Sequence, residues 1–331
     1  MADRYAFDPA QEAHDRKRQM LRTAFGPRIA TALADPGVLE VMLNPDGHLW
    51  IDHALNGRKD SGVRIGSAEA ERIIRLVATH VRREVHDKAP IVSAELPETG
   101  ERFEGIMPPV APAPCFSIRK PADVIFRLHD YVVAGMMSPR QSALLMGAVI
   151  DRRNIVIVGG TSSGKTTLVN ALLAEIALHD QRVVILEDTR ELKCAAPDCV
   201  TLRTKPGVAS LSDLVRSTLR LRPDRIVVGE VRGPEALDML KAWNTGHPGG
   251  ISTLHANSIP AALLRLEQLV QEAVITVPRA LIAEAVDVLV FIAGRGPDRR
   301  IESLSELDGL DDDGDYVLKP MGAPVLRPVA S

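Results

Sequence analysis

The stretch Asn154-Ile155-Val156-Ile157-Val158-Gly159-Gly160-Thr161-Ser162-Ser163-Gly164-Lys165-Thr166-Thr167-Leu168 decides how the rest of the chain is read. An unbroken Val/Ile run predicts a strand buried on both faces; a glycine-rich loop follows at once, and then helical spacing over 165–178. Residues 159–166 match G-x-x-x-x-G-K-[ST] in full, in the strand, loop and helix setting this motif requires. Small residues let successive backbone N–H groups curl around phosphate oxygens, and the helix beginning near Gly164 adds the positive end of its dipole. The residues expected to hold a nucleotide are therefore Gly159, Gly160, Thr161, Ser162, Ser163, Gly164, Lys165, Thr166 and Thr167. Lys165 is placed for the β- and γ-phosphates of that nucleotide, and the Thr166 hydroxyl for Mg2+.

Outward from this loop, strands and helices alternate from about Ser138. Apolar β-rich runs occupy 154–158, 182–186, 200–203, 225–228, 251–254 and 286–292. Helices are expected over 165–178, after Ser210 with Asp213, and over 234–243 with Pro234 in the first turn. This is the grammar of an open α/β sheet, whose chemistry lies at the C-terminal ends of the strands. The run 225–228 ends on Gly229-Glu230, and 182–186 ends on Glu187-Asp188. A carboxylate there can hold a magnesium-bound water or polarise the attacking one, so Glu230 is expected as a catalytic acid and Mg2+ neighbour, directly or through water, and Glu187 as a second catalytic acid. The stretch Gly246-His247-Pro248-Gly249-Gly250-Ile251-Ser252-Thr253-Leu254-His255 is a glycine-rich loop and then a strand ending on His255, able to donate to a γ-phosphate oxygen. A zinc pair of His247 with His255 is disfavoured, because eight residues across a strand do not bring two imidazoles to ligand distance.

Composition bounds the remaining possibilities. The length of 331 residues suits two domains. Forty Lys and Arg stand against 43 Asp and Glu, and aromatics make up 3%, which argues against a dedicated nucleic-acid binder. With 45% hydrophobic and 25% charged residues the chain is an ordinary globular one. There is neither an 18-residue apolar run nor an apolar leader at 1–10, so a soluble, cytoplasmic protein is expected. Three cysteines without a C-x-x-C pair fit a reducing compartment. Seven acidic residues fall within 301–315, without which the net charge of −3 becomes +4; a solvated acidic loop is expected there.

The first third is less explicit. Residues 9–25 have helical spacing that stops before Gly26-Pro27. Runs 38–43 and 48–51, separated by Asn44-Pro45-Asp46-Gly47, predict a hairpin, and Ser67 is placed to cap a helix with Ile73, Val77 and His80 on one face. Four prolines within 108–114 predict a loop.

Four boxes in order, GGTSSGKTTL, ILEDTREL, RPDRIVVGEVRGPEA and TGHPGGISTLHANS, resemble the secretion ATPases of type IV and type II secretion and of type IV pili. The likeness is close over 139–293 and looser in the first half, through LEVMLNPDGHLWID and ERFEGIMPPV...FSIRKP. The absence of a paired C-x-x-C insertion and the LEVMLNPDG opening look most like the conjugative-transfer ATPases, particularly the Trb-type of P-type conjugation systems. The resemblance implies an N-terminal α/β domain with a PAS-like sheet over 1–120, a linker over 121–137, and a RecA-like P-loop ATPase domain over 138–331, assembled as a homo-hexamer. It implies that Arg102 and Arg119 come onto the phosphates as further catalytic groups. It also implies ATP and Mg2+ as cofactors, and partners at the cytoplasmic face of a membrane secretion or conjugation complex, which would hold the protein peripherally at the inner membrane. A pilus motor of the same family and a RecA-like DNA translocase stay open as alternatives; sequence-specific nucleic-acid binding is not expected.

Overall fold

The computed structural model describes residues 9–54, 56–96, 100–121, 125–205 and 207–321. The chain forms two compact units, dividing after residue 123. The first contains α1 (Pro9–Ala34), β1 (Val38–Leu43), β2 (His48–His53), β3 (Gly57–Arg64), α2 (Ser67–His80), β4 (Ile91–Glu95), β5 (Arg102–Ile106) and β6 (Cys115–Arg119). Its six strands lie in the order β3-β2-β1-β6-β5-β4, every pair antiparallel. Alternation puts Val41 and Leu43 of β1 and Phe116 and Ile118 of β6 into one core with Ile73, Ile74 and Val77 of α2. At Gly105 a Cβ would stand 2.7 Å from the Phe103 ring and 3.0 Å from Ile74, so glycine lets α2 sit close on the sheet.

The expected hairpin is present, with Gly47 at φ 83° in its turn. The first helix breaks where expected, at Gly26 (φ 68°), but helix resumes through 27–34, because Pro27 has no N–H to lose at a helix start. Ser67 opens α2 rather than capping it; the Gly66 carbonyl takes the first N–H groups, from Glu69 and Ala70.

The second unit contains α3 (Leu128–Val133), α4 (Pro139–Ile150), β7 (Ile155–Val158), α5 (Lys165–Ile176), β8 (Val183–Glu187), β9 (Cys199–Arg203), α6 (Leu211–Thr218), β10 (Arg225–Val228), α7 (Glu235–Asn244), β11 (Ile251–Leu254), α8 (Ile259–Gln271), α9 (Arg279–Ala285), β12 (Val288–Ala293), β13 (Arg300–Leu310) and β14 (Tyr316–Pro320). Its sheet runs β14-β13-β12-β7-β11-β10-β8-β9, parallel from β12 to β9 and antiparallel at β13 and β14. Successive residues of one strand serve different cores: Val156 and Val158 pack with α6 to α9, Ile155 and Ile157 with α3 to α5. Among the described residues no helix is long and apolar enough to cross a membrane.

Two expectations change here. Only part of the acidic segment 301–315 is a solvated loop: Asp311, Asp312, Asp313 and Asp315 lie in an exposed turn, whereas 300–310 form strand β13, because Ile301, Leu304 and Leu307 are buried and carry it onto the sheet. Its acids find cations, Glu306 with Arg153 at 2.5 Å, Asp308 with Lys319 and Asp315 with Arg279 at 3.4 Å. Within the stretch 121–137 expected as a linker, α3 is folded into the second unit, burying Leu128, Tyr131 and Met137 in its core.

Arg225 is the largest side chain that is fully buried, at 1% exposure. Its guanidinium donates to Gln181 Oε1 (2.5 Å), to the Gly249 carbonyl (3.2 Å) and to the Val149 carbonyl (2.6 Å), and burial pulls its pKa down to about 10. This explains part of the glycine-rich loop before β11. A Cβ at Gly249 (φ 85°) would stand 2.5 Å from Arg225, and one at Gly250 would stand 2.0 Å from Trp243 Nε1. Lysine cannot reproduce a planar three-partner fork. Arg225→Lys should therefore lower unfolding stability by about 3 kcal/mol in a denaturant titration, by leaving buried acceptors unpaired.

Candidate functional site

Strand β7 ends on Val158, and the loop 159–164 leads into α5. Ser162 (φ 61°) and Gly164 (φ 95°) are both left-handed, the alternation that turns backbone N–H groups inward as an anion nest. A Cβ at Gly159 would stand 2.4 Å from the Ile292 carbonyl and 2.6 Å from Ser163 Oγ, so this position is closed to any other residue. Lys165 is only 7% exposed; its Nζ donates to the carbonyls of Gly159 (2.9 Å) and Gly160 (3.0 Å) and lies 3.3 Å from His255 Nδ1. The expected phosphate loop is thus folded around its lysine.

Beside it, Glu230 follows β10 and His255 follows β11, the neighbouring strand. The two ends are tied together: Thr253 Oγ1 donates to the Gly229 carbonyl (2.8 Å) and Val231 N to the Thr253 carbonyl (3.1 Å). His255 Nε2 accordingly comes 2.7 Å from Glu230 Oε1, making a chain of Lys165, His255 and Glu230. The Glu230 side chain is 18% exposed, and its other oxygen takes a hydrogen bond from Arg232, whose Nη1 is 4.0 Å from Asp188.

Glu187 departs from the expectation. Its carboxylate, at the end of β8, is buried, and Oε1 accepts the N–H groups of Glu191 (2.9 Å) and Leu192 (2.8 Å). Burial pushes this carboxyl above its ordinary pKa, and the two N–H groups oppose that. At Gly229 a Cβ would stand 3.2 Å from Glu187 Cγ, so glycine keeps the space for it. The acid that reaches the phosphate loop is Glu191, whose Oε2 accepts from the Thr166 hydroxyl at 3.2 Å. Asn170 of α5 secures the segment, accepting from Lys193 N (2.8 Å) and donating to the Glu191 carbonyl (3.2 Å). Glu191 is the functional candidate that the sequence reading passed over; its only signal was a third acid in ILEDTREL, after Glu187 and Asp188.

Thr166, Glu191 and Glu230 offer only oxygen donors, which suits a hard cation such as Mg2+. Among the described residues no group of three or more His, Cys, Asp or Glu could hold a metal, so Mg2+ would rest on one or two protein oxygens together with substrate phosphates.

Arg102 and Arg119 lie on the first unit, directly opposite each other on β5 and β6. They belong to a charged row across all six strands, Arg58, Asp52, Glu40, Arg119, Arg102 and Glu95, in cross-strand register. Each arginine has a carboxylate as its other cross-strand neighbour, Glu40 beside Arg119 and Glu95 beside Arg102, which offsets the like charges in the middle of the row.

The hold of Glu187 on the N–H groups of Glu191 and Leu192 is measurable. Glu187→Gln keeps an acceptor oxygen and should cost less than about 1 kcal/mol in a denaturant titration, whereas Glu187→Ala should cost about 2 kcal/mol by orphaning two N–H groups.

Known proteins are similar to this chain. The Type II/IV secretion system protein family matches residues 51–295. The conjugal transfer protein TrbB of Rhizobium radiobacter is 46% identical over 299 residues, 90% of this chain and 92% of that protein. The type IV secretion system protein PtlH of Bordetella pertussis is 33% identical over 318 residues, 84% of this chain and 93% of that protein. Among solved structures, the pilus retraction motor PilT with bound ADP has a TM-score of 0.60 at 18% identity, covering 92% of this chain and 83% of that one, a likeness of fold. Matched from β2 to the turn after β12, phosphate loop included, the chain belongs to the Type II/IV secretion system protein family.

Proposed function

We propose that this protein is a motor ATPase that converts ATP and water to ADP and phosphate, and that it energises a type IV secretion or conjugative transfer machine. The observation that carries this reading is the chain of Lys165, His255 and Glu230 across the ends of β7, β11 and β10, with contacts of 3.3 and 2.7 Å. Lys165 exchanges its glycine carbonyls for the β- and γ-phosphate oxygens, which offer full negative charge in place of dipoles. Glu230 orients the attacking water and accepts its proton, and Arg232 and His255 hold the carboxylate in place meanwhile. His255 donates to the γ-phosphate, linking the bound phosphate to the acid. Thr166, with Glu191 or Glu230 nearby, would hold Mg2+, which would supply charge neutralisation to the bound phosphates. The nest of residues 159–167 supplies the N–H donors. In this reading Arg102 and Arg119 contribute further positive charge to the triphosphate.

The same reading makes the protein a homo-hexamer at the cytoplasmic face of an inner-membrane complex, attached through that complex's components. The relatives named as conjugal transfer and type IV secretion proteins support this assignment over a pilus motor.

Phosphate release and calorimetric binding of Mg-ATP test the chemistry. Lys165→Ala should lose both binding and turnover. Glu230→Gln should bind ATP normally and lose turnover by at least about a hundredfold; full activity in that variant would remove Glu230 from the mechanism. Solution mass measured with and without ATP tests the ring.

A further inference from the structure

The segment leaving β12 is not used by the chemistry above, yet it reaches the phosphate loop. β12 pairs in parallel with β7, on the side opposite β11, so its C-terminal exit emerges at the same edge as the loop. There the chain doubles back. Gly294 (φ 81°) and Gly296 (φ 52°) are left-handed, and a Cβ at Gly294 would stand 2.1 Å from the Asp298 carbonyl. This turn lays Arg299 against the loop. A Cβ at Gly164 would stand 2.7 Å from Arg299 Nε, 2.9 Å from Cδ and 3.0 Å from Cζ, and Nη2 donates to the Ser162 carbonyl at 3.4 Å. Nε is buried without a hydrogen-bond partner, and among the described residues Arg299 makes no ion pair. Tyr131, only 3% exposed, has an unpartnered hydroxyl within the electrostatic reach of Arg299, and exposed Phe126 meets the Tyr131 ring edge-on at 6.4 Å.

Topology says what such a group would meet. Glu230 and His255 mark the γ-phosphate end, and both lie on the β11 and β10 side of β7. A triphosphate threaded through the nest with that orientation carries its nucleoside away on the other side, where β12 exits. We infer that Arg299 is a nucleobase-contacting residue, its guanidinium plane stacking on the base of the nucleoside triphosphate held by residues 159–167. This rests on the reading of that loop as an ATP site. Arginine suits the role because its planar cation stacks on a π-system and keeps its edge free for the Ser162 carbonyl. Stacking tolerates any base, so the contact strengthens binding without selecting strongly between ATP and GTP.

Calorimetry on the full chain with Mg-ATP and with Mg-tripolyphosphate, which has the phosphates but no base, separates this role from a structural one. In Arg299→Ala, Kd for ATP should rise about tenfold while Kd for tripolyphosphate stays within about twofold. Arg299→Gln, which keeps the stem over Gly164 and a donor for Ser162, should show the same split should the alanine variant fold poorly. Equal weakening of both ligands, or of neither, would overturn the inference while leaving the ATP site standing. Failure of the unaltered protein to bind either ligand would overturn the ATP site itself, and Arg299's role with it.

Discussion

Lys165 brings a full positive charge to a place where 7% of its surface meets water, and the ends of three strands are arranged to make that tolerable. An ammonium taken out of water needs oxygen partners, and two come from glycine carbonyls that only a loop without side chains can turn inward. His255 supplies the third contact and passes it on to Glu230. The spacing of β7, β11 and β10, the buried Val and Ile residues that fix those strands, and the hydroxyl of Thr253 that ties two of them together all converge on this one ammonium. In the proposed function this preorganised cation would exchange carbonyls for phosphate with little rearrangement, which is what electrostatic catalysis requires.

The sheet of the second unit was legible because strands buried on both faces advertise themselves as continuous Val/Ile runs; β10 and β11 have the limits that the sequence suggests. β13 was not, since Glu302, Glu306 and Asp308 interrupt it and the buried Ile301, Leu304 and Leu307 fall between them at uneven spacing. The phosphate loop, Glu230 and His255 were legible as an ordered set of strand ends. The exchange between Glu187 and Glu191 was not: both are acids in one short box, and only the turn after β8 decides which carboxylate faces inward. Nothing local marks Arg225 as a buried guanidinium, because its three partners come from segments that only tertiary folding brings together.

Register is the other quantity a sequence hides. Arg102 and Arg119 are separated by a proline-rich loop, and nothing local announces that they face each other across two strands. Their alignment follows from how β5, β6 and β1 pair, which the alternation of Phe103, Phe116, Ile118 and Val41 into one core enforces. The apolar face thereby dictates the arrangement of charge on the other face of the sheet.

The two-sided burial of β7 also limits how this protein can change its length. Ile155 and Ile157 belong to one core and Val156 and Val158 to the other, so inserting or deleting one residue between Asn154 and Gly159 would send each side chain to the wrong layer and rotate the phosphate loop with them. Substitution within these four positions exchanges one hydrophobe for another, whereas a frame-preserving codon gained or lost there disorders both helical layers at once. Variation in chain length is therefore confined to places outside this strand, such as the turns at its neighbours' far edge.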